Sequence, residues 1–94
     1  MTRSALLALI VVCACKHSAT GVPECDDHLV RRRACAEQLG GDLGASIDRE
    51  ADRLEALWTS AGTRNVKGWK EKYGRKWCTA AAAEARTAFP ECRW

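Results

Sequence analysis

The feature that most constrains this chain is a set of four cysteines: Cys25, Cys35, Cys78 and Cys92. The chain has 94 residues. A domain this small buries little apolar surface and usually needs disulfides or a metal ion to stabilise it. In an exported chain, an even set of cysteines predicts disulfides formed in an oxidising compartment. We therefore expect a small domain whose elements are joined by two bridges.

Hydrophobic periodicity and end signals predict the first two helices. The first spans residues 26–39, with an acidic pair in its first turn and a glycine pair after its last residue. Ser46 is a suitable N-cap for the second helix. Apolar residues then recur at helical spacing until Gly62, which is expected to end it.

A third helix is predicted to begin after Asn65, its expected N-cap, and to stop at Pro90. Glycine is a poor helix former, so a kink or break is expected near Gly74. No segment alternates at period two, which argues against strands. The predicted fold is all-α, a small three-helix bundle in which the second and third helices form a hairpin and the first lies across it.

Helix geometry limits how the four cysteines can pair. Cys25 and Cys35 are ten residues apart, about 15 Å along a helix, whereas a disulfide needs Cα atoms within about 7 Å. The same argument separates Cys78 from Cys92, so both bridges must join the first helix to the last. An up-down-up bundle favours Cys25–Cys78 with Cys35–Cys92. A reversal at Gly74 would instead give Cys25–Cys92 with Cys35–Cys78.

The amino terminus carries an export signal. A basic start is followed by an apolar run over residues 5–12 and by the small residue Ala14, which is the order of a secretory signal peptide. Val12 and Ala14 stand before Cys15, as in the lipobox of bacterial lipoproteins. This pattern predicts a signal peptide over 1–14, a lipidated Cys15, a flexible tether over 15–23 and a disulfide-stapled helical domain over 24–94.

The sequence offers two alternatives to this lipobox. Cys13 would be a poor lipidation site, because the bulky Val12 would then precede it. A plain cleavable signal peptide would be cut near Ala14 or Ala19 and would give a secreted protein. Lys16 is not the aspartate that retains many lipoproteins in the inner membrane, so the outer membrane is expected. Acyl chains on Cys15 would bind membrane lipid.

Charge argues against a nucleic-acid partner. The formal net charge is only +3, and arginines alternate with acidic residues along the predicted helices. Most of these charges are therefore expected to lie on solvated faces in local ion pairs.

The four tryptophans are the candidate anchors. Trp58 and Trp77 fall on apolar stripes and are expected in the core, whereas Trp69 and Trp94 are candidate interface residues. Trp94 has a second interpretation, as a hydrophobic cap over the neighbouring Cys92 bridge.

Catalytic and metal chemistry find little support. The histidines are His17, in the tether, and His28, near the start of a helix beside Asp26 and Asp27. Neither histidine is accompanied by a nucleophile in a catalytic pattern. Because the cysteines are expected to form disulfides, the two histidines and two aspartates would make only a weak metal site. The sequence therefore predicts no enzyme activity, no cofactor and no metal.

The chain resembles a family of small, uncharacterised cysteine-containing bacterial lipoproteins of the myxobacterial type. The motifs that carry the resemblance cover nearly all of the mature chain: Val22-Pro23-Glu24-Cys25-Asp26, Cys35, Trp58, Cys78 and Cys92-Arg93-Trp94. That family often has Leu-Pro where this chain has Leu39-Gly40. The resemblance implies an exported helical lipoprotein and brings no catalytic residue.

The expected function is accordingly a membrane-anchored, non-enzymatic interaction module of the bacterial envelope. The alternative is a secreted or surface-exposed disulfide-stapled binder or inhibitor of another protein. An envelope enzyme or metal-binding protein is the third option, and it would need a pocket lined by the His28 region.

Overall fold

The computed structural model describes residues 20–64 and 66–94, and its ordered elements are helical. Helix α1 spans Pro23–Leu39, α2 spans Gly41–Thr63 and α3 spans Gly74–Ala88, and a π-helical turn over Trp69–Tyr73 leads into α3. No strand occurs in these described ranges. The predicted all-α three-helix bundle is confirmed. The predicted signal peptide and the predicted lipidation site, Cys15, lie outside the described residues.

Helix α1 is the central element of the bundle. It packs against both α2 and α3, whereas α2 approaches the last part of the chain mainly through the π-helical turn. The expected hairpin of the second and third helices is therefore wrong. The cause is covalent, because both disulfides attach the last helix to α1.

One disulfide joins the start of α1 to the start of α3, and the other joins the end of α1 to the segment that follows α3. Cys25 is bonded to Cys78, and Cys35 is bonded to Cys92, with Cα–Cα distances of 5.0 Å and 5.3 Å. This is the favoured pairing, and it is confirmed. Helices α1 and α3 consequently run parallel, as in an up-down-up bundle.

The folded domain begins earlier than the predicted boundary at residue 24. Thr20 and Val22 are buried, and α1 starts at Pro23. The Thr20 hydroxyl donates a hydrogen bond to Asp26 Oδ1 at 2.8 Å and accepts one from the Val22 amide at 3.1 Å. Residues 20–23 therefore pack on the domain rather than continuing the flexible tether predicted over 15–23.

Helix α2 also begins earlier than predicted, and Ser46 is not its N-cap. Gly40 and Gly41 have positive φ values of 64° and 62°, which allows the chain to leave α1 and enter α2 within one residue. A Cβ atom on Gly44 would lie 2.4 Å from the Ala36 carbonyl oxygen. Gly44 is thus needed where α2 crosses the end of α1.

The predicted break near Gly74 takes the form of the π-helical turn. The Tyr73 amide donates to the Gly68 carbonyl oxygen at 2.8 Å, five residues back, and the Gly74 amide donates to the Trp69 carbonyl oxygen. Gly68 starts this turn with a φ of 80°. Asn65, the expected N-cap, lies outside the described residues.

The core consists of two clusters, each containing one disulfide. The first packs Trp58 and Trp69 around the Cys25–Cys78 bridge, and the second packs Ile47 around the Cys35–Cys92 bridge. Each bridge is thus enclosed by side chains from more than one element.

Candidate functional site

A predominantly apolar concavity on the described surface lies between α2 and the π-helical turn. We call it the aromatic groove, and its volume is about 400 Å³. Its lining residues are Leu57, Trp58, Ala61, Val66, Lys67, Trp69, Tyr73 and Trp77. An exposed apolar surface of this kind commonly marks an interaction site.

The rim of the groove is solvent-exposed, whereas its floor is buried. Trp77 is 64% exposed, and Leu57, Val66 and Tyr73 are each about half exposed. Trp58 and Trp69 form the floor and are almost fully buried. The prediction for Trp58 is confirmed, but those for Trp69 and Trp77 are wrong, because the core residue is Trp69 and the exposed one is Trp77.

The geometry of the last helix explains why Trp69 is buried and Trp77 is exposed. Cys78 is bonded to α1, which fixes the inward face of α3, and Ala85 lies on the same buried face. Trp77 precedes Cys78 and is therefore turned about 100° away from that face. The π-helical turn separates Trp69 from α3, so one regular helical stripe cannot include both tryptophans.

Two lysines lie at the groove on the side of the π-helical turn, and a third lies against the start of the described chain. Lys67 is one of its lining residues, and the ammonium of Lys72 lies 5.3 Å from the centre of the Tyr73 ring. A Cβ atom on Gly21 would approach Lys70 Cε at 2.9 Å, which places the Lys70 side chain over the start of the described chain. None of these lysines has an ion-pair partner among the described residues.

The start of the described chain is attached to the floor of the aromatic groove. Trp69 Nε1 donates a hydrogen bond to the Thr20 carbonyl oxygen at 3.0 Å. That oxygen lies against Gly62, where a Cβ atom would approach it to 2.4 Å. Thr20, the first described residue, is therefore fixed against both Trp69 and Gly62.

A second, more polar cavity lies between α1 and α3, and its volume is about 250 Å³. The residues that line it are Glu24, Asp27, His28, Arg31, Cys78, Thr79, Ala82, Arg86 and Trp94. This is the pocket that an enzyme or ligand-binding role for the His28 region would require.

His28 is packed in this region as a neutral aromatic side chain. Its ring lies between Trp58, at a centroid distance of 6.0 Å, and Trp94, at 6.2 Å and nearly parallel. Burial, with smaller effects of the Arg32 and Arg86 charges, lowers the pKa of His28 to about 4. Both ring nitrogens are closed off from solvent and have no hydrogen-bond partner among the described residues. A general base must reach the proton that it abstracts, and in this structure the ring of His28 lines the cavity while both of its nitrogens are buried.

Trp94 packs against the Cys35–Cys92 cluster, which is the position that its interpretation as a cap predicted. Its Nε1 donates to the Phe89 carbonyl oxygen at 2.8 Å, and Arg31 donates to its main-chain oxygen. Trp94, whose indole also stacks on His28, is only partly exposed and is less available for a partner than Trp77.

Two further properties bear on the expected sites. No described helix is both long enough and apolar enough to cross a bilayer. Among residues 20–64 and 66–94, histidine, cysteine and acidic side chains nowhere cluster in a set of three that could hold a metal ion.

Comparison with known proteins finds no matching family model, no matching curated protein and no matching solved structure.

Proposed function

We propose that this protein is a bacterial lipoprotein, acylated at Cys15, that serves as a non-enzymatic interaction module of the cell envelope. The lipobox and Lys16 support an outer-membrane location. The aromatic groove is the surface through which the module acts.

The observation that carries this proposal is the pair of interhelix disulfides. Structural disulfides persist in exported proteins and are rare in reducing compartments, so the bridges agree with the signal peptide that precedes Cys15. The export signal and the stapled domain are read from separate parts of the chain, and each strengthens the other.

Intact-mass analysis of the protein from a membrane fraction of its native host tests the proposal. We expect a chain that begins at Cys15, carries acyl groups and gains the mass of about four hydrogen atoms on reduction, two for each bridge. An unacylated chain that begins elsewhere would overturn the anchored lipoprotein.

Cysteine variants sharpen this test. Cys15→Ser is expected to remove acylation and to prevent normal processing of the precursor, whereas Cys13→Ser should leave both unchanged. Acyl groups that persist in the first variant and disappear in the second would place the anchor at Cys13.

The second candidate function is a secreted binder or inhibitor of another protein. The exposed indole of Trp77 favours it, because tryptophan is enriched at the hot spots of protein interfaces. In that case Trp77, rather than Trp69 or Trp94, would be the main anchor.

A further inference from the structure

We propose that the aromatic groove and the lysines around it form a docking face for a phospholipid bilayer carrying anionic headgroups. This face would hold the domain flat against the membrane to which Cys15 is attached. The inference extends the proposed function, since the anchor supplies the membrane, but the docking face is argued from independent residues.

Charge is distributed unequally between residues 64–76 and the rest of the domain. Residues 64–76 contain six basic residues and one acidic residue, a net charge of +5. The remaining residues from 20 to 94 contain seven basic and eleven acidic residues, a net charge of −4. The basic segment borders the groove, so an anionic surface would be attracted to this side of the domain and repelled by the rest.

The basic residues of this segment are mainly lysines. The chain has ten arginines and five lysines, yet four of the lysines lie in residues 64–76 with only two of the arginines. Protein interfaces are enriched in arginine and depleted in lysine. At a membrane, by contrast, lysine extends its charged end to the headgroups while its alkyl stem lies along apolar surface. The composition favours lipid over a protein partner.

The exposed residues on the groove rim include a tryptophan and a tyrosine. Trp77 and Tyr73 are both exposed on the groove rim, together with the aliphatic Leu57 and Val66. Tryptophan and tyrosine are the residues enriched at the boundary between lipid and water, where an apolar ring and a polar group are accommodated together. An aromatic rim edged with lysine thus matches the headgroup region in both polarity and charge.

The described chain begins next to the floor of the groove. Thr20 is fixed to the groove floor through Trp69. Cys15 is five residues earlier, and that length of chain can span at most about 18 Å. Acyl chains on Cys15 would therefore bring the bilayer surface close to the same side of the domain.

Quenching of tryptophan fluorescence by brominated lipid tests the docking face. The purified protein, with its acylation state established by mass, is placed in vesicles of phosphatidylcholine with or without phosphatidylglycerol. The wild-type protein should be quenched most in the anionic vesicles. Trp77→Phe should remove most of that quenching, because Trp58 and Trp69 are buried and Trp94 packs against the Cys35–Cys92 cluster.

Charge reversal provides a second, matched comparison. Lys67→Glu with Lys72→Glu should lower the ratio of docked to undocked molecules by roughly thirtyfold or more, given the usual effect of a lysine near an anionic surface. Arg49→Glu with Arg93→Glu makes the same change in net charge at exposed positions away from the groove lining. This control should bind the vesicles nearly as well as the wild-type protein.

Several results would overturn the docking face. These are quenching that survives Trp77→Phe, equal quenching in neutral and anionic vesicles, and equal loss in the two charge variants. A dimer in solution that Trp77→Ala dissociates would assign the groove to a second copy of the chain.

The same experiments distinguish failure of the docking face from failure of the anchor. An unacylated protein that still shows Trp77-dependent quenching in anionic vesicles would overturn the lipid anchor and support the face. An acylated protein whose Trp77 is not quenched would overturn the face and leave the anchor in place.

Discussion

At the scale of single residues, His28 shows how burial changes the role of an ionisable side chain. Its position near Asp26 and Asp27 in the sequence suggests contact with acidic groups, but the ring packs between two indoles instead. The Asp27 charge acts to raise its pKa and is outweighed by burial and by nearby arginines. The folded state therefore favours the neutral imidazole.

This preference predicts a loss of stability in weak acid. The pKa of His28 is about 4 in the folded protein and about 6.5 when the side chain is free, so its stabilising contribution is complete above pH 6.5 and is lost as the pH falls toward 4. The expected loss is about 3 kcal/mol in the free energy of unfolding, at about 1.4 kcal/mol per pKa unit. Urea unfolding of the oxidised protein at pH 7 and at pH 4.5 measures most of it.

His28→Phe is the control for this pH dependence, because phenylalanine keeps an aromatic ring between Trp58 and Trp94 but does not titrate. Carboxylates still titrate in the variant, so the contribution of His28 is the difference between the two pH profiles. Equal profiles for the wild-type protein and the variant would show that His28 does not resist protonation.

Gly62 is the other residue whose role depends on a close contact. The sequence indicates only that it ends a helix, whereas the structure places the Thr20 carbonyl oxygen where a Cβ atom would be. Gly62→Ala should therefore destabilise the domain by about 1–3 kcal/mol, despite the better helix propensity of alanine.

Thermal unfolding measures the effect of Gly62→Ala. Ser60→Ala, at an exposed position in the same part of α2, is the matched control and should change the melting temperature little. A Gly62→Ala protein as stable as the control would mean that Thr20 does not pack against α2 in solution.

At the scale of elements, the two disulfides determine which helix is central. They close chain segments with sequence separations of 53 and 57 residues. Loops of nearly equal length predict nearly equal losses on removal, about 4 kcal/mol each. Paired alanine variants at Cys25 with Cys78, and at Cys35 with Cys92, test this by denaturant unfolding. A loss confined to one pair would indicate that the other bridge contributes little.

The sequence predicts these helices well because their signals are local. The Gly40-Gly41 pair, Pro90 and helical spacing mark the elements, and the ten-residue gap between Cys25 and Cys35 excludes a bridge within α1. The start of α2 is predicted less well, because its close crossing at Gly44 involves the Ala36 carbonyl oxygen, a group contributed by another helix.

The candidate site is predicted less well for the same reason. Exposure of Trp77 depends on the π-helical turn and on the bond that orients Cys78 toward α1. Neither follows from a regular helical period, which places Trp69 and Trp77 on one stripe. The clustering of lysines in residues 64–76 is visible in the sequence, but only the structure places Lys67 in the lining of the aromatic groove and Lys72 beside the Tyr73 ring.

At the scale of the whole molecule, the two bridges also determine what happens when the backbone is cut. Helix α2 and the basic segment both lie within the stretch from Cys35 to Cys78. A protease that cuts once anywhere in that stretch leaves two fragments, each holding one cysteine of both bridges. The fragments stay covalently joined until the disulfides are reduced. Under oxidising conditions, a molecule cut once in this stretch therefore keeps the same mass apart from one added water, and its two fragments separate only after reduction.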